Sequence, residues 1–252
     1  MSESVDSPAG RALAPVAFRL AQGIGVVLIA FVFAVVVASA GAGALVSAGL
    51  LRPATVPYQV SVTVFQFVGF SIAIAGYLLV ADDGELIGYG VPTRFGWVLV
   101  AAGVVGLLAA QFGLSYLLTQ LGIEVGENQV ILLGREDPRF FLYMIVVSIL
   151  LVGPIEELLF RGVVQGLLRR ALSAWPAILL ASVLFGLVHV WAVQGATGQQ
   201  LVYAVVAAAL GLVLGYLYER TGNVVVPGIA HGVYNAVLFA IQYVVATQGV
   251  VW

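Results

Sequence analysis

Two carboxylates and a guanidinium interrupt a run of Val, Ile and Leu in the stretch GPIEELLFRG, Gly153–Gly162. Between Asp137 and Glu219 the only acids are Glu156 and Glu157. An ionisable side chain at the centre of a membrane helix costs roughly 2.5–3.5 kcal/mol on insertion scales, so such a cluster needs a reason. Helical spacing gives its members different tasks. Glu157 and Arg161 stand at i, i+4 and can pair on one face. Glu156 points about 100° away, on the face of Phe160 and Val163. Glu157 is thereby held as a carboxylate, while Glu156 is left to take and give a proton. The plain alternative is an ion-pair cluster at the hydrated membrane border, with a structural role only.

The chain has two histidines, and both fall in apolar segments: His189 in LFGLVHV and His231 in PGIAHGVYN. A lone histidine on an apolar helix is more often structural than catalytic. Here each has a companion one turn away, Phe185 at i−4 from His189 and Asn235 at i+4 from His231. Gly186 and Gly232 allow close helix approach beside them. Burying these polar groups on separate helices is costly unless they converge, and convergence makes one polar pocket. The chain has no cysteine, no Gly-x-Ser-x-Gly elbow and no His-Glu-x-x-His helix, so thiolate chemistry and the usual marks of serine hydrolases and of that metalloprotease type are missing. Glu, His, His and Asn suit water activation: a glutamate base, a histidine that orients water, and a His/Asn pair for an oxyanion. Glu156, His189 and His231 would equally make a three-ligand site for a zinc-like divalent metal with one open position. Residue types alone leave both open.

These residues must be placed by membrane helices. Of 252 residues, 62% are hydrophobic and 9% charged, and mean hydropathy is +1.11; soluble domains are about a quarter charged. Apolar runs of about 20 residues read as an all-α, polytopic integral membrane bundle of about seven to eight transmembrane helices. Seven spans are expected, at roughly Gln22–Ala48, Ser61–Val80, Gly96–Leu118, Phe140–Phe160, Pro176–Val193, Leu201–Tyr218 and Val224–Val245. Residues 1–20 read as a polar, disordered tail, residues 21–138 as N-terminal membrane helices, and residues 139–252 as the catalytic core. The connector between Glu124 and Asp137 contains Val-Ile-Leu-Leu and suggests a short interfacial helix. Phe140–Leu172 is long for one straight span, and Pro154 predicts a kink or break just before the glutamates, which would raise the count to eight. With the N-terminus inside, inner loops hold Arg11, Arg19, Arg94, Arg169, Arg170 and Arg220, and outer loops hold Arg52, Arg135 and Arg139. That excess predicts a multi-pass cell-membrane protein with a cytoplasmic N-terminus. No basic tract suggests nucleic-acid binding.

Glu-Glu-x-x-x-Arg at Glu156, Glu157 and Arg161, Phe-x-x-x-His at Phe185–His189, and His-x-x-x-Asn at His231–Asn235 resemble, in that order, the three motifs of the CPBP intramembrane protease family. That family includes the CAAX prenyl endopeptidases and the bacteriocin-processing (Abi) proteins. The resemblance covers roughly Phe140 to Ala246. It implies a helical bundle with a cavity opening to the cytosol, and hydrolysis of a peptide bond in a membrane-associated peptide or protein, of which a prenylated CAAX substrate is one case. By position, Glu156 would activate water with His189, His231 and Asn235 would bind the oxyanion, and Glu157, Arg161 and Phe185 would support them. The resemblance favours no cofactor: Asn is an uncommon metal ligand and suits an oxyanion hole better, with a zinc-type site on Glu156, His189 and His231 as the alternative. Two other readings of the same bundle are a non-catalytic scaffold or chaperone and a proton-coupled transporter with a Glu/His relay.

Overall fold

The computed structural model describes residues 8–81 and 83–249. Among the described residues run eight helices: α1 (Pro8–Ser47), α2 (Val56–Val80), α3 (Arg94–Gln120), the short α4 (Gln129–Glu136), α5 (Arg139–Arg169), α6 (Ala174–Ala192), α7 (Thr197–Thr221) and α8 (Val225–Gln248), beside a single 3-10 turn at Gly84–Leu86. All but α4 are long and apolar enough to cross a membrane, which gives the seven spans expected. The short helix expected between Glu124 and Asp137 is α4, capped by the Asn128 side chain on the Val130 amide. Helix α1 begins at Pro8, inside the stretch expected as a tail; residues 1–7 of that stretch lie outside the described residues. One two-residue ladder, β1 (Glu127–Asn128) with β2 (Val193–Gln194), joins the α3–α4 and α6–α7 connectors in antiparallel register.

The centre of the bundle is α5. Its Val163, Val164, Leu167 and Leu168 have no exposed surface, and α1, α2, α6, α7 and α8 all pack on it. Leu28, Val32, Leu79, Val105 and Val205 face outward, as a bilayer demands. Trp97, Trp175 and Trp191 at helix ends are exposed, as suits aromatic residues at a membrane border, and so is Tyr216, whereas Tyr218 is buried.

The expected break at Pro154 does not occur. The helix runs on without interruption from Arg139 to Arg169. It widens into π-helical turns at Ser148–Val152 and Leu158–Gln165, with Gly153–Glu157 α-helical between them. A π turn shifts the hydrogen-bond register by one residue, so the donor that proline lacks and the carbonyl its ring would strike are accommodated without ending the helix. Gly153 keeps right-handed helical angles, φ −55° and ψ −55°. The widened turns are also where the site lies, since Glu156 and Glu157 sit between them.

Gly153 marks the contact of α5 with α8. A Cβ there would stand 2.5 Å from both the Gly228 carbonyl oxygen and the Gly232 amide nitrogen. Both neighbours are backbone, so neither can turn aside. Gly153→Ala should therefore lower stability by about 1–3 kcal/mol, the usual cost of overpacking, read as earlier thermal unfolding in detergent. Unchanged melting would show that α5 and α8 can separate freely. Gly186 plays the same part between α6 and α7, where a Cβ would meet the Ala204 carbonyl.

At the end of the bundle remote from α4, Arg170 donates to Asp83 at 2.7 Å and Tyr77 donates to the same carboxylate at 2.9 Å. The Arg170 guanidinium holds the Asp83 carboxyl below the usual carboxylate range. This clamp ties the α2–α3 connector to the end of α5 and fixes the depth of the central helix.

Candidate active site

On α5, Glu157, Arg161, Gln165 and Arg169 recur at i+4 and form one polar row against α7. Glu157, Arg161 and Gln165 have no exposed surface. Arg161 Nε lies 3.1 Å from Glu157 Oε2, the pair expected from their spacing. Arg161 Nη2 donates to the Gly211 carbonyl at 3.1 Å, and Gln165 Nε2 to the Gly215 carbonyl at 3.2 Å. The row ends where Arg169 Nε meets Glu219 at 3.1 Å. Guanidinium and carboxylate thus reach each other in a dry setting where neither could stand alone.

Glu157 has a second partner that spacing along one helix could not reveal. Its Oε1 lies 2.9 Å from Nδ1 of His231, 74 residues away on α8. An ionised carboxylate can only accept, so Nδ1 carries the proton and His231 presents Nε2 to the other side. There Nε2 lies 4.0 Å from Oε2 of Glu156. The two adjacent glutamates therefore grip the two nitrogens of one imidazole, one tightly from the buried side and one loosely from the open side. Side-chain exposure separates them in the same way: 20% for Glu156 and 0% for Glu157.

His189 ends the α-helical part of α6. Its Nδ1 is 2.6 Å from the Phe185 carbonyl oxygen. A carbonyl only accepts, so Nδ1–H donates and Nε2 is the lone-pair nitrogen. Phe185 links the parts. Its ring centroid is 4.4 Å from that of His189, 5.9 Å from His231 and 5.1 Å from Phe160, and the Arg161 guanidinium lies over its face at 4.8 Å.

Glu156, His189, His231 and Asn235, drawn from three helices, all line one cavity of about 780 Å³, with Phe185 in its wall. The four residues expected to act thus share one cavity wall, and of their mutual approaches the one between Glu156 and His231, 4.0 Å, is direct. Among the described residues, no three His, Asp or Glu side chains group as metal ligands. The set Glu156, His189 and His231 does not fit the zinc-type alternative, and no step below passes through a metal.

A sequence description of the family, type II CAAX prenyl endopeptidase Rce1-like, matches residues 138–237. Two proteins of Bacillus subtilis (strain 168) are similar to this chain. One, "Uncharacterized protein YpbD", is 31% identical over 150 residues, 59% of this chain and 69% of its own length. The chain belongs to the Rce1-like, CPBP family of intramembrane proteases. The other, "Putative membrane peptidase YdiL", is 35% identical over 100 residues, 39% of this chain and 37% of its own length. No solved structure matches the chain. Membership in the Rce1-like family indicates a membrane endopeptidase of the CAAX type.

The Rce1-like match covers all four residues expected to act, and the geometry adds groups that sequence reasoning missed. Tyr203 is bonded by Asn128, 75 residues away, and Tyr234 donates to Gln111, 123 residues away. Both tyrosines line the cavity. Asn128 and Gln111 precede the matched stretch, so helices outside it help to build the site.

The cavity wall includes residues of the α3–α4 connector and Trp191 and Ala192 at the end of α6, and none from the α2–α3, α5–α6 or α7–α8 connectors. With alternating spans, these connector residues lie at the end of the bundle opposite the start of α1.

Proposed function

We propose that this protein hydrolyses a peptide bond of a membrane-associated substrate inside the bilayer, with Glu156 as the base. The observation that carries this reading is the pairing of unlike glutamates about one imidazole. Glu157 is spent on Arg161 and His231, while Glu156 faces the cavity with His189, His231 and Asn235 around it. Water between Glu156 and the scissile carbonyl gives its proton to the Glu156 carboxylate as its oxygen attacks the carbonyl carbon. Nε2 of His189 accepts the second water hydrogen as a hydrogen bond and so sets the lone pair in line. The oxyanion is met by the Asn235 amide and by Nε2–H of His231. A protonated His231 balances the charge of the cluster, since Glu156 and Glu157 carry two negative charges and Arg161 one positive. Collapse breaks the C–N bond, and Glu156 returns its proton to the leaving amine. The remaining water hydrogen leaves the new carboxyl for the amine, so the products are a carboxylate and a protonated amine, with no other reactant consumed.

Cleavage of a general peptide library and of a prenylated C-terminal peptide by purified protein tests the reading, with Glu156→Ala, His189→Ala and His231→Ala beside wild type. Loss of cleavage in all three supports it; wild-type rates in all three overturn the assignment.

The arginine balance supports a cytoplasmic N-terminus, and the site's mouth then opens on the outer face, towards substrates presented from that side. The chain has no native cysteine, so single-cysteine variants report topology without background. A cysteine at Arg135 should react with a membrane-impermeant maleimide in intact cells, and one at Glu85 only after lysis. The reverse pattern would put the mouth in the cytosol, where a prenylated CAAX substrate resides.

A further inference from the structure

Tyr203, in the first turns of α7, lines the cavity beside His189, with ring centroids 6.4 Å apart and planes at 30°. Its oxygen accepts from Nδ2 of Asn128 at 2.8 Å. The sense of that bond is fixed by the other end of the amide. Oδ1 of Asn128 caps α4, accepting the Val130 N–H at 2.8 Å. The NH2 group must therefore be the end on Tyr203, and an NH2 group donates only. The phenol proton points elsewhere, and no side chain or carbonyl among the described residues accepts it. Tyr234 shows the contrast: it lies near His231, but its O–H is given to Gln111 Oε1 at 2.9 Å.

We propose that Tyr203 is a substrate-contacting residue whose O–H donates to a backbone carbonyl of the peptide bound along the His189 side of the cavity, and that Asn128 aims it. This rests on the hydrolytic reading of the site. A peptide must lose its helical hydrogen bonds before it can be cleaved in a bilayer, and its exposed carbonyls then need donors that lipid cannot supply. A phenol held by its oxygen, with its proton unspent, meets that need without a charge. Asn128 precedes the stretch matched by the family, residues 138–237, whereas Tyr203 lies within it.

Two substitutions test it on the reconstituted full chain with a peptide that wild type cleaves. Tyr203→Phe deletes the proton and keeps the ring, and should lower kcat/KM about 10- to 100-fold, the effect of one lost donor to a buried carbonyl. Asn128→Asp keeps the α4 cap, because Asp caps as well as Asn, yet replaces the donor by an acceptor that captures the phenol proton. It should show the same loss, and the double variant no further loss. Melting in detergent should be unchanged in all three. Wild-type kcat/KM in either single variant, additive losses in the double, or a fall in melting parallel to activity overturns the proposal. Glu156→Ala in the same assay separates the two claims: if it cleaves normally, the hydrolytic reading fails, and if it is inactive while Tyr203→Phe is normal, only the role of Tyr203 fails.

Discussion

Replacing Glu156 by glutamine should lower kcat for peptide cleavage about 10³-fold while leaving the protein as stable as wild type. Gln keeps the volume and one hydrogen-bonding oxygen but cannot take a proton. General-base catalysis by a positioned group contributes about 10²–10⁴, so the loss is that of the base itself. Stability is spared because Glu156 faces the cavity and its contact with His231 is loose, at 4.0 Å. The same change at Glu157 would act differently: it removes the charge that Arg161 and His231 both share. Initial rates and melting curves for the two variants separate the roles. A stable, inactive Glu156→Gln protein fits the assignment; one that cleaves at the wild-type rate contradicts it.

Arg161→Ala should cost about 3–5 kcal/mol of stability, because it leaves the buried Glu157 carboxylate without its guanidinium partner and with His231 alone. Arg161 and Glu157 have no exposed surface, so water cannot replace the lost partner. The same physics predicts a rescue. Glu157→Gln with Arg161→Met removes both charges and fills the space with an uncharged chain, so most of the stability should return. Activity should not return, because His231 no longer has a carboxylate on Nδ1 to hold it protonated and direct Nε2–H to the cavity. Thermal unfolding in detergent, read beside cleavage rates, checks both halves. A double variant as unstable as Arg161→Ala would show that packing rather than charge sets the cost.

Much of this arrangement was legible before any coordinates. Apolar runs give the spans because each must satisfy its own backbone in lipid; α2, α3, α6, α7 and α8 appear within several residues of where those runs lie, while α1 begins well before Gln22, at Pro8. The Glu157–Arg161 pair follows from i, i+4 spacing alone. Of the kink or break expected at Pro154, the break does not occur, because the neighbouring π turns absorb the proline. The grip of Glu157 on His231 was out of reach for a different reason. It joins residues 74 apart on separate helices, and helical periodicity reports faces of one helix, not which face meets which. Tyr203 and Asn128 were hidden in the same way: a tyrosine in an apolar span reads as packing until its partner is known.

The unlike environments of the two glutamates unify these observations: one buried and spoken for, the other open to water and substrate. That difference is what lets neighbouring residues of one type serve as support and as base. Cleavage in water enriched in oxygen-18, followed by mass spectrometry of the products, tests the central claim most directly. Wild type should place a single oxygen-18 in the new C-terminal carboxylate, and Glu156→Gln should yield no labelled product over the same time. Labelled product from Glu156→Gln at the wild-type rate would contradict Glu156 as the group that activates water.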